Sequence, residues 1–375
     1  MPTLRFGYMV DDYFLVGQSW WKWLENPFYL HGRPVWTLSY LLVDLVSTEA
    51  AVHRLVNIAL LIGIANLGFL YAHRLGVNGW AGLLLCVGLT NPSLVWPATW
   101  IAQRNDVLLL FFLLLALLVS GRWSGLIFLQ AATLSKSPFV FHILPFVWRD
   151  IRKRRVFDVV LTVAVAAVVL YVVYKTYYLY NFSHEVKQGL YTADEKVSVL
   201  FHLVARSAKV LEGLAYNLFP VPAFASSWQV ALGAFLAMLV GWALIVPELV
   251  AGLRRLMDGA SGPLRSAVAK PALLTVLMSV SYAFGSGLRL YCPTLIFLYT
   301  AVALLCRPSR RLVVGSAILI GVNLWGIALT VPAMDTGCHQ LQPRPGFCDG
   351  PAIPVNNWFA LRQSIVDGAV RQLSK

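Results

Sequence analysis

Apolar runs separated by short polar, basic or aromatic stretches occupy most of the 375 residues. Runs of about 20 apolar residues can cross the hydrocarbon core of a bilayer as helices, which satisfy their backbone hydrogen bonds internally. Barrel strands would alternate polar and apolar residues, and a stretch such as 107–119 does not. The pattern predicts an all-α polytopic membrane protein with about 8–10 transmembrane helices, helices in outer-face loops and one short helical hairpin. Spans are expected near 51–71, 80–94, 106–119, 157–178, 230–250, 272–285, 293–306 and 312–331.

The hairpin is expected over 125–148. Arg122 precedes this segment and Arg149, Arg152, Lys153, Arg154 and Arg155 follow it, so both flanks carry the basic residues of a cytoplasmic loop. Two half-helices meeting at Ser135-Lys136-Ser137-Pro138 satisfy both flanks, whereas one straight span does not. A non-helical tip at membrane depth must be surrounded by protein or line a cavity, which directs Lys136 into a cavity from its far side. The chain divides into 1–50, an outer-face acidic and aromatic loop with a juxtamembrane helix near 34–45; 51–331, a transmembrane core; and 332–375, an extracytoplasmic tail. In the tail, Leu361, Ile365, Ala369 and Leu373 recur at helical spacing, and another amphipathic helix is expected near 200–218.

Composition sharpens this picture. A hydrophobic fraction of 58% with 13% charged residues and a mean hydropathy of +0.69 exclude an ordinary soluble domain. The net charge of +13 comes from Lys and Arg gathered in short loops, the positive-inside pattern. No basic domain stands apart from the membrane segments, so nucleic acid is not an expected partner. The first fourteen residues, with Arg5, Asp11 and Asp12, read as neither a crossing nor a cleavable leader. Cys86, Cys292 and Cys306 lie in or beside apolar runs as packing residues. Cys338 and Cys348 flank Pro- and Gly-rich sequence and form a candidate disulfide if the tail faces an oxidising compartment.

Only 17 acidic residues occur, which singles out the doublet Asp11-Asp12. Such a carboxylate can serve as a general base or hold a metal; the alternative is a solvated loop that caps a helix. The stretch Trp96 to Asp106, with Trp100 and Arg104, sets charges beside aromatics and suits a phosphate or a sugar. A helix start explains Asp106, which the macrodipole favours in a first turn, but not Arg104. Lys136 is an ionisable group within an apolar segment and so a functional candidate, with snorkelling as the alternative. Arg289-Leu290-Tyr291-Cys292-Pro293 offers the planar donor fork that suits phosphate, or else an interfacial turn. His53 and Asn57 share one helix face, which points to a helix–helix hydrogen bond ahead of catalysis.

In order along the chain stand Asp11-Asp12, then Gly32-Arg33-Pro34, His53 and Asn57, then Trp96, Trp100, Arg104 and Asp106, then Ser135-Lys136, and last Arg289, Tyr291 and Pro293. Over about 8–310 this order resembles the glycosyltransferase C superfamily of membrane enzymes, and most closely its protein O-mannosyltransferase-like branch. The resemblance implies an inverting transfer of a sugar from a polyprenyl-phosphate donor to an acceptor hydroxyl on the extracytoplasmic face. Asp11 and Asp12 would supply the general base, with Asp11 the base itself. Lys136, Arg289 and Arg104 would bind the donor phosphate, and Arg33, His53, Trp100, Asp106 and Tyr291 would bind or support substrate. Relatives carry a transmembrane helix before the acidic pair, whereas ten residues precede Asp11 here. Their late motif also has one more residue between its arginine and tyrosine.

The expected location is a bacterial inner membrane. The expected partners are the bilayer, a lipid-linked sugar donor and a protein or glycan acceptor, with a divalent metal left open as cofactor. A transporter or lipid flippase would share the many spans and broken helices, and an inactive scaffold related to the enzyme would share the motifs.

Overall fold

The computed structural model describes residues 17, 33–99, 101–136, 140–173, 214–215, 217–220, 228–258, 262–283 and 294–340. Among these residues every regular element is helical. In chain order the α-helices are α1 (Pro34–Asp44), α2 (Ala50–Arg74), α3 (Leu83–Leu89), α4 (Val95–Thr99), α5 (Arg104–Leu118), α6 (Arg122–Ser135), α7 (Leu144–Arg152), α8 (Val156–Val173), α9 (Trp228–Met257), α10 (Gly262–Ala283), α11 (Leu295–Leu305) and α12 (Arg310–Gln340). Of these, α2, α9 and α12 are long and apolar enough to cross a bilayer, and they make the chain an integral membrane protein.

Helix α5 lies at the centre, packed against α2 and α6. Eleven of its 15 residues are buried, as expected of a helix that is apolar all round and enclosed by protein. Its Leu109 and Leu113 join Leu129 of α6, Met278 of α10 and Phe297 of α11 in one apolar cluster. A second cluster unites Leu84 of α3, Ile245 of α9 and Leu319 of α12 with Leu295 and Tyr299 of α11. Helix α11 therefore belongs to both clusters and joins them. Helices α9 and α12 meet backbone to backbone: a Cβ on Gly315 would fall 2.6 Å from the Gly241 carbonyl oxygen. Small residues at a crossing permit this approach between membrane helices.

The basic residues gather at one end of the bundle. Arg74, in the last turn of α2, donates to the Leu118 carbonyl at the end of α5. Arg122, opening α6, forms a two-pronged pair with Asp158 at the start of α8, at 2.9 and 2.7 Å. Asp150, near the end of α7, accepts from Arg149 at 2.9 and 3.0 Å and lies 3.8 Å from Arg155. Across the bundle, Arg255 Nη2 donates to the Leu305 carbonyl at 2.7 Å, joining the ends of α9 and α11. Val77 and Ala81, just past α2, pack with Leu304, Leu305 and Leu312, which sets Arg307, Arg310 and Arg311 at this same end.

The hairpin forms as expected. Helix α6 leaves the basic end, breaks at Lys136, and the chain comes back to that end along α7. Thr133 Oγ1 and His142 Nε2 meet across the break at 3.2 Å. Helix α7 closes with Arg154 in the left-handed region, φ 53°. The Arg154 N–H reaches the Ile151 carbonyl and the Arg155 N–H the Asp150 carbonyl, at 3.0 and 2.8 Å, the pattern of a Schellman cap. Glycine is usual at that position, and a residue with a Cβ costs about 1–2 kcal/mol there.

Several expectations change. The segment expected to span 80–94 holds only the seven-residue α3 between 3-10 turns. Pro92 cannot continue a helix from behind, and the Asn91 side chain caps Ser93 N at 3.0 Å instead. Helix α10 begins at Gly262, earlier than expected, and takes Arg265, Lys270 and Pro271 into its length. Helix α12 continues to Gln340. Helices α5 and α11 are apolar but have only 15 and 11 residues; both are covered by protein on most sides, so neither need match the bilayer alone. The expected helix at 200–218 lies largely outside the described residues.

A substitution at Gly252 checks the α9–α11 contact. An added Cβ would fall 2.1 Å from the Leu305 carbonyl oxygen, whereas at Gly79 it meets nothing within 4 Å. Gly252→Ala should lower the thermal unfolding midpoint in detergent despite the better helix propensity of alanine, by about 1–3 kcal/mol in stability. Gly79→Ala should shift it by less than about 0.5 kcal/mol.

Candidate functional site

Opposite the basic end, α1, the start of α2, the start of α5 and the tip of α6 bring a buried charged cluster together. Arg104 is the first residue of α5 and is 0% exposed. Its Nε donates to Asn57 Oδ1 at 2.7 Å. Its Nη1 reaches the Ser39 carbonyl at 3.2 Å. Its Nη2 reaches the His53 carbonyl at 2.8 Å and His53 Nδ1 at 3.2 Å. The guanidinium also lies over the Tyr40 ring, 4.5 Å from its centroid. A cation at a helix N-terminus opposes the macrodipole. Here the planar fork offsets that by tying α5 to α1 and α2, with four of the five guanidinium N–H groups directed at protein acceptors.

These contacts fix the state of His53. Its Nδ1 faces a guanidinium donor and must accept, so the proton resides on Nε2 and is donated to Asp44 Oδ1 at 2.9 Å. Asp44, at the last residue of α1, also accepts from Gly17 N through Oδ2 at 3.0 Å. Burial pushes the Asp44 carboxyl up from its ordinary value, against the pull of the Gly17 N–H and the Arg104 charge. The series Asp44–His53–Arg104 therefore links an anion to a buried cation through a neutral imidazole. The Tyr40 ring stacks on His53 with centroids 5.8 Å apart, and its hydroxyl donates to the Ile101 carbonyl at 2.7 Å.

The second pair is Lys136 with Asp106. Lys136 is 3% exposed and Asp106 1%, and Lys136 Nζ donates to Asp106 Oδ1. Asp106 sits in the first turn of α5 and Lys136 at the end of α6, so each charge meets the favourable end of its helix dipole. Antiparallel packing of α5 and α6 brings those two ends together. The hairpin tip is expected to point Lys136 into a cavity; here Lys136 is buried against Asp106, and it is Asp106 that lines the nearby cavity.

This cavity has a volume of about 280 Å³, and Asp106 is the sole charged residue among the described ones in its wall. The rest of the lining is apolar, with Ile58, Leu61 and Ile62 from α2, Leu110 from α5 and Leu295 and Ile296 from α11.

Of the other expected site residues, Arg33 caps α1 and stands 5.2 Å from the Trp36 ring centroid. Asn57, besides holding Arg104, donates to the Pro97 carbonyl at 2.9 Å. Arg104 was expected on a donor phosphate, yet in this structure its donors are engaged within the protein, which makes it a clamp between helices. Asp11, Asp12, Trp100, Arg289, Tyr291 and Cys348 lie outside the described residues, as does the side chain of Cys338. Among the described residues no group of three His, Cys, Asp or Glu side chains has the arrangement of a metal site.

Sequence reasoning missed Asp44 and Arg54. Asp44 had a usable signal: it is one of 17 acids and interrupts Leu41-Leu42-Val43 and Leu45-Val46. Arg54 is 0% exposed within α2; an arginine inside a spanning pattern marks a buried partner or a cavity.

Comparison of the chain with protein-family models, curated proteins and solved structures gives no match in any of the three.

The Lys136–Asp106 pair makes a double-mutant prediction. Removing one partner leaves a buried charge uncompensated and should cost about 3–5 kcal/mol. Lys136→Met and Asp106→Leu should each lower the unfolding midpoint strongly. The double variant should recover most of that loss, whereas additive losses would place the two side chains apart.

Proposed function

We propose that the chain is a membrane glycosyltransferase that moves a sugar from a polyprenyl-phosphate donor to an acceptor hydroxyl. The observation that carries this reading is the buried Lys136–Asp106 pair, at the tip of a broken helix, beside an apolar cavity. A lipid phosphate has an anionic head and a hydrocarbon tail. The cavity walls of Ile, Leu and Ala suit the tail, and Lys136, paired to the Asp106 that lines the cavity, is the cation nearest to hand for the head. The basic clusters at the opposite end of the bundle favour a cytoplasmic location for that end. The Lys136 cluster then faces the extracytoplasmic side of a bacterial inner membrane.

In this mechanism one acid of the Asp11-Asp12 doublet deprotonates the acceptor hydroxyl, and the oxygen attacks the anomeric carbon from the face opposite the phosphate. The C–O bond to the phosphate breaks with inversion, and the leaving polyprenyl phosphate takes the electron pair. Lys136, released from Asp106, stabilises the charge that develops on that phosphate. The chain links the doublet to this cluster at one described point: Gly17, five residues after Asp12, donates its N–H to Asp44. Arg104 and His53 hold the scaffold and take no part in proton transfer. Arg289 and Tyr291 would complete the phosphate site, as the family resemblance implies.

A lipid-moving transporter is the second reading, favoured by the same paired half-helices next to a hydrocarbon-lined cavity. Sugar transfer by purified protein in detergent separates the two. Asp11→Asn keeps shape and loses basicity, and should lower the rate by roughly 10²–10⁴. Asp12→Asn should act less strongly, and Lys136→Arg should retain more activity than Lys136→Ala. Full activity in both aspartate variants would overturn the assignment of the base. A folded wild type that binds donor and transfers nothing would favour the transporter or an inactive scaffold.

A further inference from the structure

At the basic end, α7 presents an apolar stripe to the outside. Leu144, Trp148 and Ile151 recur at one helical face and are exposed, Trp148 at 58%. The opposite face, Phe146 and Asp150, is buried against the bundle. Beside this stripe stand two further exposed rings, Trp123 and Phe157, with centroids 5.9 Å apart. Arginines cover the indoles: Arg152 lies 4.7 Å from the Trp148 centroid and Arg122 lies 4.9 Å from that of Trp123. Exposed indoles under cations mark the level where acyl chains give way to headgroups.

Charge at this patch exceeds its internal acids. Asp158 is held by Arg122, and Asp150 by Arg149 with Arg155 nearby. The exposed run Arg152-Lys153-Arg154 is paired with no acid among the described residues. The backbone supplies an independent observation. Arg154 occupies the left-handed position of the α7 cap, where glycine would fit without strain. An arginine at a strained position points from the outlier to a use for its charge.

We propose that the α7 cap and the adjoining Trp123–Phe157 pair form a docking surface for anionic phospholipid headgroups. The guanidinium and ammonium groups of Arg152, Lys153 and Arg154 meet the lipid phosphates, and Trp148, Leu144 and Ile151 lie among the upper acyl carbons. This surface is independent of the glycosyltransferase reading and lies at the opposite end of the bundle.

Thermal unfolding of the purified full chain in detergent, with rising mole fractions of phosphatidylglycerol or phosphatidylcholine, tests the proposal. Wild type should be stabilised by phosphatidylglycerol and much less by phosphatidylcholine. Each cation near an anionic surface contributes a factor of roughly five in lipid affinity. Arg154→Gly should raise the midpoint without lipid, by relieving the left-handed strain. It should also raise the phosphatidylglycerol fraction needed for half the effect by roughly fivefold. The triple variant Arg152→Gln, Lys153→Gln, Arg154→Gly should raise that fraction by more than roughly tenfold. Arg265→Gln, on α10, should leave it unchanged. Equal stabilisation by both lipids, an unchanged response in Arg154→Gly, an equal loss in Arg265→Gln, or full stabilisation by soluble glycerol phosphate would each overturn it.

Discussion

A charge buried in a membrane bundle must have a partner, and that requirement organises this protein. Among the described residues the cations Arg54, Arg104 and Lys136 lie almost wholly out of solvent. The last two are met differently. Lys136 has a carboxylate directly against it in Asp106. Arg104 directs its fork at the neutral acceptors Asn57, Ser39 and His53 and reaches the anion Asp44 through the imidazole of His53. Breaking such an arrangement from one side leaves a naked charge at a cost of several kcal/mol. The helices that carry these residues are therefore held in one geometry at this end.

The rest of the bundle is consistent with that constraint. Helix α5 bears both Arg104 and Asp106 in its first turn, and beyond them it is apolar on every side. It can be buried along its length only because its polar residues are confined to the end where partners exist. At the other end, cations face outward or satisfy helix carbonyls, as Arg74 and Arg255 do for Leu118 and Leu305. Among the described residues, one end thus holds buried, paired charges and the other carries external cations in excess. This asymmetry underlies both the proposed donor site and the proposed lipid surface.

Some of this could be read from the sequence because the physics is local. The break at Ser135-Lys136 followed from basic residues on both flanks, and α6 and α7 indeed return to the same end. The shared face of His53 and Asn57 followed from helical spacing, and both side chains contact Arg104. Other features depend on tertiary contacts. The role of Arg104 is set by acceptors 47 to 65 residues away in the chain. Asp44 gains its meaning from His53 and Gly17 together. Apolarity did predict helix in 80–94, but not that Asn91-Pro92 would divide it and expose Asn91 to Asn217. Lengths near 106–119 and 293–306 were read well, while the cover of α5 and α11 by protein, which lets them be short, is a property of packing.

The central claim is that Lys136 provides the cation for a lipid phosphate. Binding of a polyprenyl phosphate to purified protein tests it most directly, with wild type compared against the doubly neutral Lys136→Met, Asp106→Leu variant. That variant keeps the cluster free of unmatched charge, so folding and binding are separated. The account predicts a wild-type affinity that falls by at least roughly tenfold in the variant, as expected for loss of one charge-assisted contact, with binding of an uncharged polyprenol unchanged. An unaltered affinity for the phosphate in the folded variant would contradict it.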